Sequence, residues 1–293
     1  LFTSKLLIVG KKKVDKMKKK SSLLGDLISH GLLMVATVIA IFPLIWIFIS
    51  SVKSKGELTG EPTRFWPKIF TLDYFEHVIN DLNFIVNIKN SLFISLVTTL
   101  IAITISAMAA YGIVRFFPKL GSIMSKLLVT TYIFPPILLA IPYSIAMAKV
   151  GLTNTTTGLI IVYLSFSVPY AVWLLVGFFQ TVPIEIEEAA KIDGANKFTV
   201  FFKIVLPLVA PGIVATAIYT FINAWNEFLY ALILVNDTSK MTVAVALRSL
   251  NGAEILDWGD MMAASVIVVI PSVLFFCFIQ NKIAGGLSEG SVK

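Results

Sequence analysis

The sequence of 293 residues is 57% hydrophobic and 14% charged, which is too apolar for a soluble domain of this length. Its net charge of +7 is concentrated at one end, since eight lysines precede residue 27. A basic segment directly before an apolar one is typical of membrane orientation and of contact with anionic lipid, so nucleic acid is not the expected partner. The composition indicates a membrane protein.

Residues 1–26 form this basic segment, which we interpret as a solvated cytoplasmic tail. An apolar run within it, residues 6–9, is also compatible with a position on the membrane surface. Because five further apolar segments follow the first one, we expect the first to be a retained anchor and not a cleaved signal peptide.

Six apolar segments follow in chain order, each near the length of about 20 residues that a helix needs to cross a bilayer. Their continuous apolar character favours helices over barrel strands, which alternate in short segments. The predicted fold is therefore all-α and polytopic, with six transmembrane helices. The predicted spans cover residues 27–52, 88–114, 122–147, 157–179, 207–235 and 260–281.

The distribution of basic residues predicts the orientation of these spans. When alternate connections are assigned to opposite sides, sixteen of the 24 Lys and Arg residues fall on one side and eight on the other. The more basic side is normally cytoplasmic. The prediction places both termini and residues 183–207 in the cytoplasm, with a membrane domain of residues 27–281 and a cytoplasmic tail of residues 282–293.

Residues 183–207, between the fourth and fifth spans, form a polar segment in an otherwise apolar region. Pro183 and the acidic residues after it suit a helix N-terminus, and Glu187 and Lys191 are spaced i,i+4. Gly194 suits a helix end, and a second amphipathic stretch leads to Pro207. The segment predicts a helix, a turn and a helix.

The fifth span contains the most polar sequence predicted at membrane depth, Asn223, Ala224, Trp225, Asn226 and Glu227. Glu227 is the only acidic residue well inside a predicted span. An ionisable group there is costly, so we expect it to face the bundle interior or a cavity and to be paired. A purely structural hydrogen bond between helices explains the same residues equally well.

Motifs for catalysis are missing from the sequence. It contains no GxxxxGK[ST] phosphate loop, no HExxH zinc motif and no GxSxG nucleophile elbow. The single cysteine, Cys277, excludes an intrachain disulfide, and the two histidines are far apart in sequence. We therefore predict a chain that is not an enzyme and that binds no cofactor or metal.

The polar segment carries a resemblance to a known family. Its sequence resembles the signature loop of binding-protein-dependent ABC importer permeases. The matching residues are Glu188, Ala189 and Ala190, then Gly194, and then Ile204, Leu206 and Pro207. Four further stretches have sequences similar to the carbohydrate branch of this family, in particular to the smaller maltose-type permease. They are residues 111–116, 151–155, 192–195 and 224–232. The resemblance covers residues 27–293.

The resemblance implies a division of labour among subunits in the bacterial cytoplasmic (inner) membrane. A second permease subunit completes the pathway as a heterodimer, two cytoplasmic ATPase subunits hold ATP and Mg²⁺, and an extracytoplasmic binding protein delivers a carbohydrate. The signature loop is then a coupling helix that docks on the ATPase. The implied coupling residues are Glu187, Glu188, Ala189, Ala190, Ile192, Asp193, Gly194 and Ala195.

Helical spacing places Ile186, Ala189, Ala190 and Asp193 on one face, which we predict to be the docking face. The candidate pathway residues are Asn223, Trp225, Asn226 and Glu227, with Trp225 a candidate for stacking on a sugar. The family transports neutral oligosaccharides, acidic ones such as alginate fragments, and sugar phosphates, so the substrate stays open.

Two other functions remain compatible with the sequence. One is a self-sufficient proton-coupled carrier that uses Glu227 as its titrating group. The other is a membrane scaffold without a pathway, against which the prolines inside the third and fourth spans argue, because kinked helices often border a water-filled cavity.

Overall fold

The computed structural model describes residues 23–60, 64–250 and 257–289. Most of the predicted basic tail and the last four residues lie outside these ranges. The described residues are helical, apart from loops and an isolated bridge between Lys53 and Phe70. In chain order the helices are α1 (Leu23–Ser51), α2 (Lys55–Gly60), α3 (Asp73–Glu76), α4 (Phe84–Phe116), α5 (Pro118–Ile133), α6 (Pro136–Lys149), α7 (Thr156–Gln180), α8 (Ile184–Ile192), α9 (Lys197–Leu208), α10 (Ala210–Trp225), α11 (Leu229–Leu234), α12 (Val243–Ser249) and α13 (Trp258–Glu289).

Four of the predicted spans are continuous helices that are long and apolar enough to cross a membrane, namely α1, α4, α7 and α13. The last of them continues to Glu289, so helix covers residues that the sequence assigned to the C-terminal tail. The number of six spans stays a prediction, because the described residues contain four such helices, or five when one bent pair is counted as a span.

The predicted third span is divided into two shorter helices, α5 and α6. The division falls at Phe134 and Pro135, where Phe134 has an extended backbone (φ −67°, ψ 127°). A proline lacks the N–H that a continuing helix needs, and it disfavours helical backbone in the residue before it. The Pro135–Pro136 pair therefore ends α5 and starts α6.

The predicted fifth span is also interrupted. Helices α9 and α10 meet at an angle of 74° around Val209, and α10 ends at Trp225 before α11 begins at Leu229. The second break, residues 226–228, overlaps the end of the polar stretch of residues 223–227. The most polar sequence at membrane depth is thus the point where the helix stops.

Helix α4 lies at the centre of the bundle and packs against α7 and α10, while α1 packs mainly on α13. The buried face of α4 contains several small residues, which allow helices to approach closely in a membrane. These residues are Ser91, Ser95, Thr98, Ala102 and Ser106. Helices α7 and α10 also meet closely, since a Cβ atom at Gly212 would overlap the ring of Phe178.

Candidate functional site

Helix α8 and helix α9 form the helix, turn and helix that the sequence predicts, and we call the two helices the hairpin. Gly194 has a φ of 89°, a conformation that glycine adopts without a Cβ clash. The N–H of Gly194 donates to the carbonyl of Lys191 (3.0 Å), and the N–H of Ala195 donates to that of Ala190 (2.9 Å). This pair of bonds is a Schellman ending, so Gly194 fixes the end of α8.

The inner face of the hairpin is attached to α4 by a buried ion pair. The Glu187 carboxylate accepts from Arg115 Nε at 2.5 Å and from the Tyr111 hydroxyl at 2.8 Å. The same guanidinium donates to the carbonyl of Val182 at 2.7 Å. The Glu187 side chain is 2% exposed, so the pair lies away from solvent. Apolar contacts with α4 and α7 surround it.

Glu187 and Ala190 therefore point into the protein and do not lie on an outer docking surface. The predicted face of Ile186, Ala189, Ala190 and Asp193 is wrong in one member, because Ala190 is buried against the bundle. The spacing between Glu187 and Lys191 likewise produces no ion pair, since Glu187 is paired with Arg115. Helical periodicity shows which residues share a face of the helix, but it does not show which face packs against the rest of the chain.

The outer face of the hairpin exposes apolar side chains beside acidic ones. Ile192 is 86% exposed and Phe198 is 76% exposed. Glu188, Ala189, Asp193 and Gly194 are also exposed, whereas Ala195 is half-buried. Large apolar side chains gathered on a polar segment are typical of a protein contact surface. We call this set the outer face.

Arg115 and Tyr111 were not among the predicted site residues. Arg115 stands at the end of a predicted span, where a lone basic residue ordinarily marks the membrane boundary. Both residues belong to a sequence stretch, residues 111–116, that resembles the carbohydrate permeases. That stretch was the available signal, but only the structure shows its contact with the hairpin.

A cavity of about 1040 Å³ lies among α5, α6, α7, α10 and α11. Three of the four predicted pathway residues, Asn223, Asn226 and Glu227, line it. Its other polar side chains include Ser165 and Thr220. Its aromatic side chains are Phe134, Tyr143, Phe166, Tyr170, Tyr219, Phe228 and Tyr230. We call this space the cavity.

The aromatic wall of the cavity is ordered by contacts between rings. Tyr170 and Tyr219 are stacked with centroids 4.0 Å apart, and Phe166 is stacked on Tyr230 at 5.8 Å. Tyr143 meets the edge of Tyr230, and its hydroxyl is 2.6 Å from that of Ser165. Ring pairs of this kind hold the faces of the wall in fixed positions.

Glu227 is held by the backbone of α11. Its two carboxylate oxygens accept from the N–H groups of Tyr230 (2.8 Å) and Ala231 (3.1 Å), which the helix itself leaves without partners. The Tyr163 side chain lies beside the same carboxylate. The prediction that Glu227 faces a cavity and is paired is confirmed, although its partners are backbone groups.

Trp225 does not reach the cavity. Its side chain is 2% exposed, and its ring is stacked on Phe221 with centroids 6.0 Å apart. Phe221 in turn is stacked on Phe275 of α13 at 4.1 Å. The proposed stacking of Trp225 on a sugar is therefore corrected: the residue packs α10 against α13, on the opposite side of the helix from the cavity.

Potential metal ligands are scattered through the fold. Within the described ranges, no three His, Cys, Asp or Glu side chains come together as a metal site. The hairpin and the cavity each bring several predicted residues together. Helix α7 contacts both, because Phe179 stacks on Phe201 of the hairpin and Phe166 lines the cavity.

Comparison with known proteins gives a family match that includes both features. The family model described as "Binding-protein-dependent transport system inner membrane component" matches residues 102–288. A diacetylchitobiose uptake system permease protein of Streptomyces coelicolor is 32% identical, over 91% of this chain and 88% of its own length. A sulfoquinovosyl glycerol transport system permease protein of Agrobacterium fabrum is 32% identical, over 88% of this chain and 91% of its own.

A solved structure shares the fold. A chain from the crystal structure of a bacterial ABC transporter for import of the acidic polysaccharide alginate superposes with a TM-score of 0.76 at 20% identity. The match covers 90% of this chain and 98% of that one. At this identity the likeness concerns the fold alone.

Proposed function

This chain belongs to the family of binding-protein-dependent transport system inner membrane components, and from that membership we propose that it is a permease subunit of an ATP-driven carbohydrate importer. The match over residues 102–288 is the observation that carries the proposal, because it contains both the hairpin and the cavity. The sugar-transport relatives support a carbohydrate as the solute.

The proposed arrangement has six spans in a bacterial inner membrane, with both termini and the hairpin in the cytoplasm. The third span consists of α5 and α6, and the fifth of α10 and α11 with α9 as its bent cytoplasmic extension. Breaks at membrane depth are tolerated where the freed backbone groups border a cavity or find side-chain partners. The Glu227 cap supplies such partners at the break before α11.

The hairpin is proposed to couple the chain to an ATPase subunit. Its outer face offers Ile192 and Phe198 for burial in a partner and Glu188 for a basic group. On its inner face, the Glu187–Arg115 pair ties α8 to α4. A displacement of the hairpin by the ATPase is thereby passed to α4 as a rigid-body movement, which alternating access requires. ATP and Mg²⁺ belong to the ATPase subunits.

The cavity is proposed to be this chain's half of the pathway. A second permease subunit supplies the other half, and an extracytoplasmic binding protein delivers the carbohydrate. The alternative of a proton-coupled carrier requires Glu227 as its titrating group. In this fold the carboxylate has a structural role as the cap of α11, which weakens that alternative.

The test is transport in a reconstituted system. We expect sugar uptake into proteoliposomes only when this chain is combined with its partner permease, the ATPase subunits, the binding protein and ATP. Uptake by the chain alone, driven by a proton gradient, would support the carrier instead. Screening sugars for stimulation of ATP hydrolysis by the assembled complex identifies the substrate.

The coupling role is tested at Gly194. Proline fixes φ near −65°, so a Gly194→Pro variant cannot keep the backbone at +89°. We expect the complex to assemble but to lose most of its solute-stimulated ATP hydrolysis and uptake. The control is Gly151→Pro, which places the same strain at a φ of 70° in the loop between α6 and α7. Full coupled transport by Gly194→Pro would contradict the role.

A further inference from the structure

The size and the lining of the cavity indicate which class of solute it can bind. Its volume of about 1040 Å³ is at the upper end of small-ligand sites, which span roughly 300–1,000 Å³, so it has room for several sugar rings. The relatives and the solved alginate transporter handle different solutes. Similarity alone therefore leaves the charge of the solute open.

The cavity lacks a side chain that would neutralise an anion. No Lys, Arg or His stands among the described residues that line it. Its charged group is Glu227, and both oxygens of that carboxylate already accept backbone N–H bonds. A carboxylate or phosphate on the solute would lose its water against this wall without gaining a cation from this chain, which is strongly unfavourable.

The same wall is suited to uncharged sugars. Aromatic rings line this wall, and rings of this kind pack on the apolar face of a pyranose ring; they belong to Tyr143, Phe166, Tyr170 and Tyr219. Asn226 has an exposed amide at the rim of the break between α10 and α11. Amide and hydroxyl groups placed on an apolar wall fix the orientation of a hydroxylated solute.

We propose that the cavity is a binding site for uncharged oligosaccharides and disfavours sugars that carry carboxylates or phosphates. This inference rests on the proposed function and deepens it, since it names the class of carbohydrate. It separates this chain from an importer of acidic polysaccharide even though the folds are alike. The selectivity resides in the permease and is independent of what the binding protein accepts.

The test uses matched ligands on the purified permease–ATPase complex without its binding protein. One ligand series is a set of neutral glucose oligomers, and the other is the same oligomers oxidised at C6 to uronic acids. We expect the neutral series to bind at least about tenfold more tightly, because each uronate must be desolvated without a cation. Equal or tighter binding of the uronates would overturn the proposal.

Two variants assign the selectivity to this wall. Asn226→Lys adds a cation to the cavity and should shift the preference at least about tenfold toward uronates, whereas Thr181→Lys adds the same charge at an exposed turn outside it and should not. Tyr219→Leu should weaken neutral binding about tenfold, while Tyr219→Phe keeps the ring and most of the affinity. An unchanged preference in Asn226→Lys would place the selectivity elsewhere and overturn the inference.

Failure of the inference is distinguishable from failure of the proposed function. If the full complex imports uronates in an ATP-dependent manner and its cavity binds them, the importer stands and the neutral class is wrong. If neither series binds or stimulates ATP hydrolysis while a solute that is not a sugar does, carbohydrate import itself is wrong. Both proposals are supported when neutral oligomers bind and stimulate hydrolysis.

Discussion

Arg115 and Glu187 form the buried ion pair that joins the hairpin to α4. Their side chains are 11% and 2% exposed, and the guanidinium also holds the carbonyl of Val182 just before α8. A buried ion pair is not in itself a large source of stability, but the loss of one member leaves a charge without a partner in a dry environment. The main effect of the pair is therefore to fix the position of α8 on α4, and its net contribution to stability is small.

We expect Arg115→Gln and Glu187→Gln each to destabilise the attachment of the hairpin by about 3–5 kcal/mol, and the double variant by less than the sum. Thermal unfolding of the assembled complex measures these effects. Glu185→Gln removes an exposed acid two residues away and should change stability by no more than about 0.5 kcal/mol. Strictly additive losses would show that the two side chains do not interact.

Gly194 and Trp225 illustrate the limits of prediction at this scale. The glycine at the end of α8 follows from local rules, because a helix end with a positive φ is a property of a few neighbouring residues. The environment of Trp225 depends on Phe221 and Phe275, the second of which is fifty residues away in sequence. Sequence therefore identified the conformation of one residue and misjudged the contacts of the other.

Among the elements, the segment between α1 and α4 is organised around a carboxylate. Glu57 accepts from the backbone N–H groups of Lys68 (2.5 Å) and Ile69 (3.3 Å). The bond from Lys68 is the main cause of a pKa below the ordinary value of 4.5. Burial raises the pKa by less than this bond lowers it, and the bonds from Ile69 and Ser54 lower the pKa further. These hydrogen bonds give the segment a defined shape.

Because the folded segment prefers the ionised carboxylate, its stabilisation is complete above the ordinary pKa of Glu57 and is lost as the pH falls through the lowered value. Hydrogen exchange at Lys68 and Ile69, corrected for intrinsic rates, should show falling protection below about pH 4.5. Glu57→Gln should remove this pH dependence, and Glu76→Gln should leave it intact. Protection that stays constant in the native chain at low pH would contradict the assignment.

The breaks between α5 and α6 and between α10 and α11 show that a continuous apolar segment does not always form one continuous helix. At Pro135 the sequence states the cause directly, because proline cannot continue the hydrogen-bond ladder. At residues 226–228 no proline is present, and the break is stabilised by the Glu227 cap. The polar residues predicted an unusual environment there, while the tertiary fold decided that the environment is a helix break beside a cavity.

At the scale of the whole molecule, the long helices fall into a central and a peripheral group according to the fraction of each helix that is buried. Only 6% of the apolar window of α1 and 17% of that of α13 is buried, against 33% for α4 and 44% for α7. Apolar side chains left open over such lengths need lipid or another subunit around them. The first is what a multi-pass membrane protein requires, and the second agrees with the proposal of a partner permease.

The six-span arrangement makes a prediction about sidedness. In a variant whose Cys277 is replaced by alanine, an impermeant maleimide should label Thr238→Cys in intact cells, because the loop after α11 is predicted to lie outside. Lys191→Cys on the hairpin should be labelled only after the membrane is opened. Both positions are exposed, so accessibility within the fold does not limit labelling. Labelling in the reverse order would invert the orientation derived from the basic residues.

The sequence by itself determined the membrane class, the helical fold, the helix and turn of the hairpin, and the family resemblance that the match over residues 102–288 confirmed. These properties depend on composition, on spacing within one helix, or on a short motif, all of which are local. Only the tertiary structure decided that Glu187 turns inward to Arg115, that Trp225 packs away from the cavity, and that Tyr170 and Tyr219 meet in its wall. Those facts depend on which faces of distant helices come together, and the periodicity of a single helix contains no information about its neighbour.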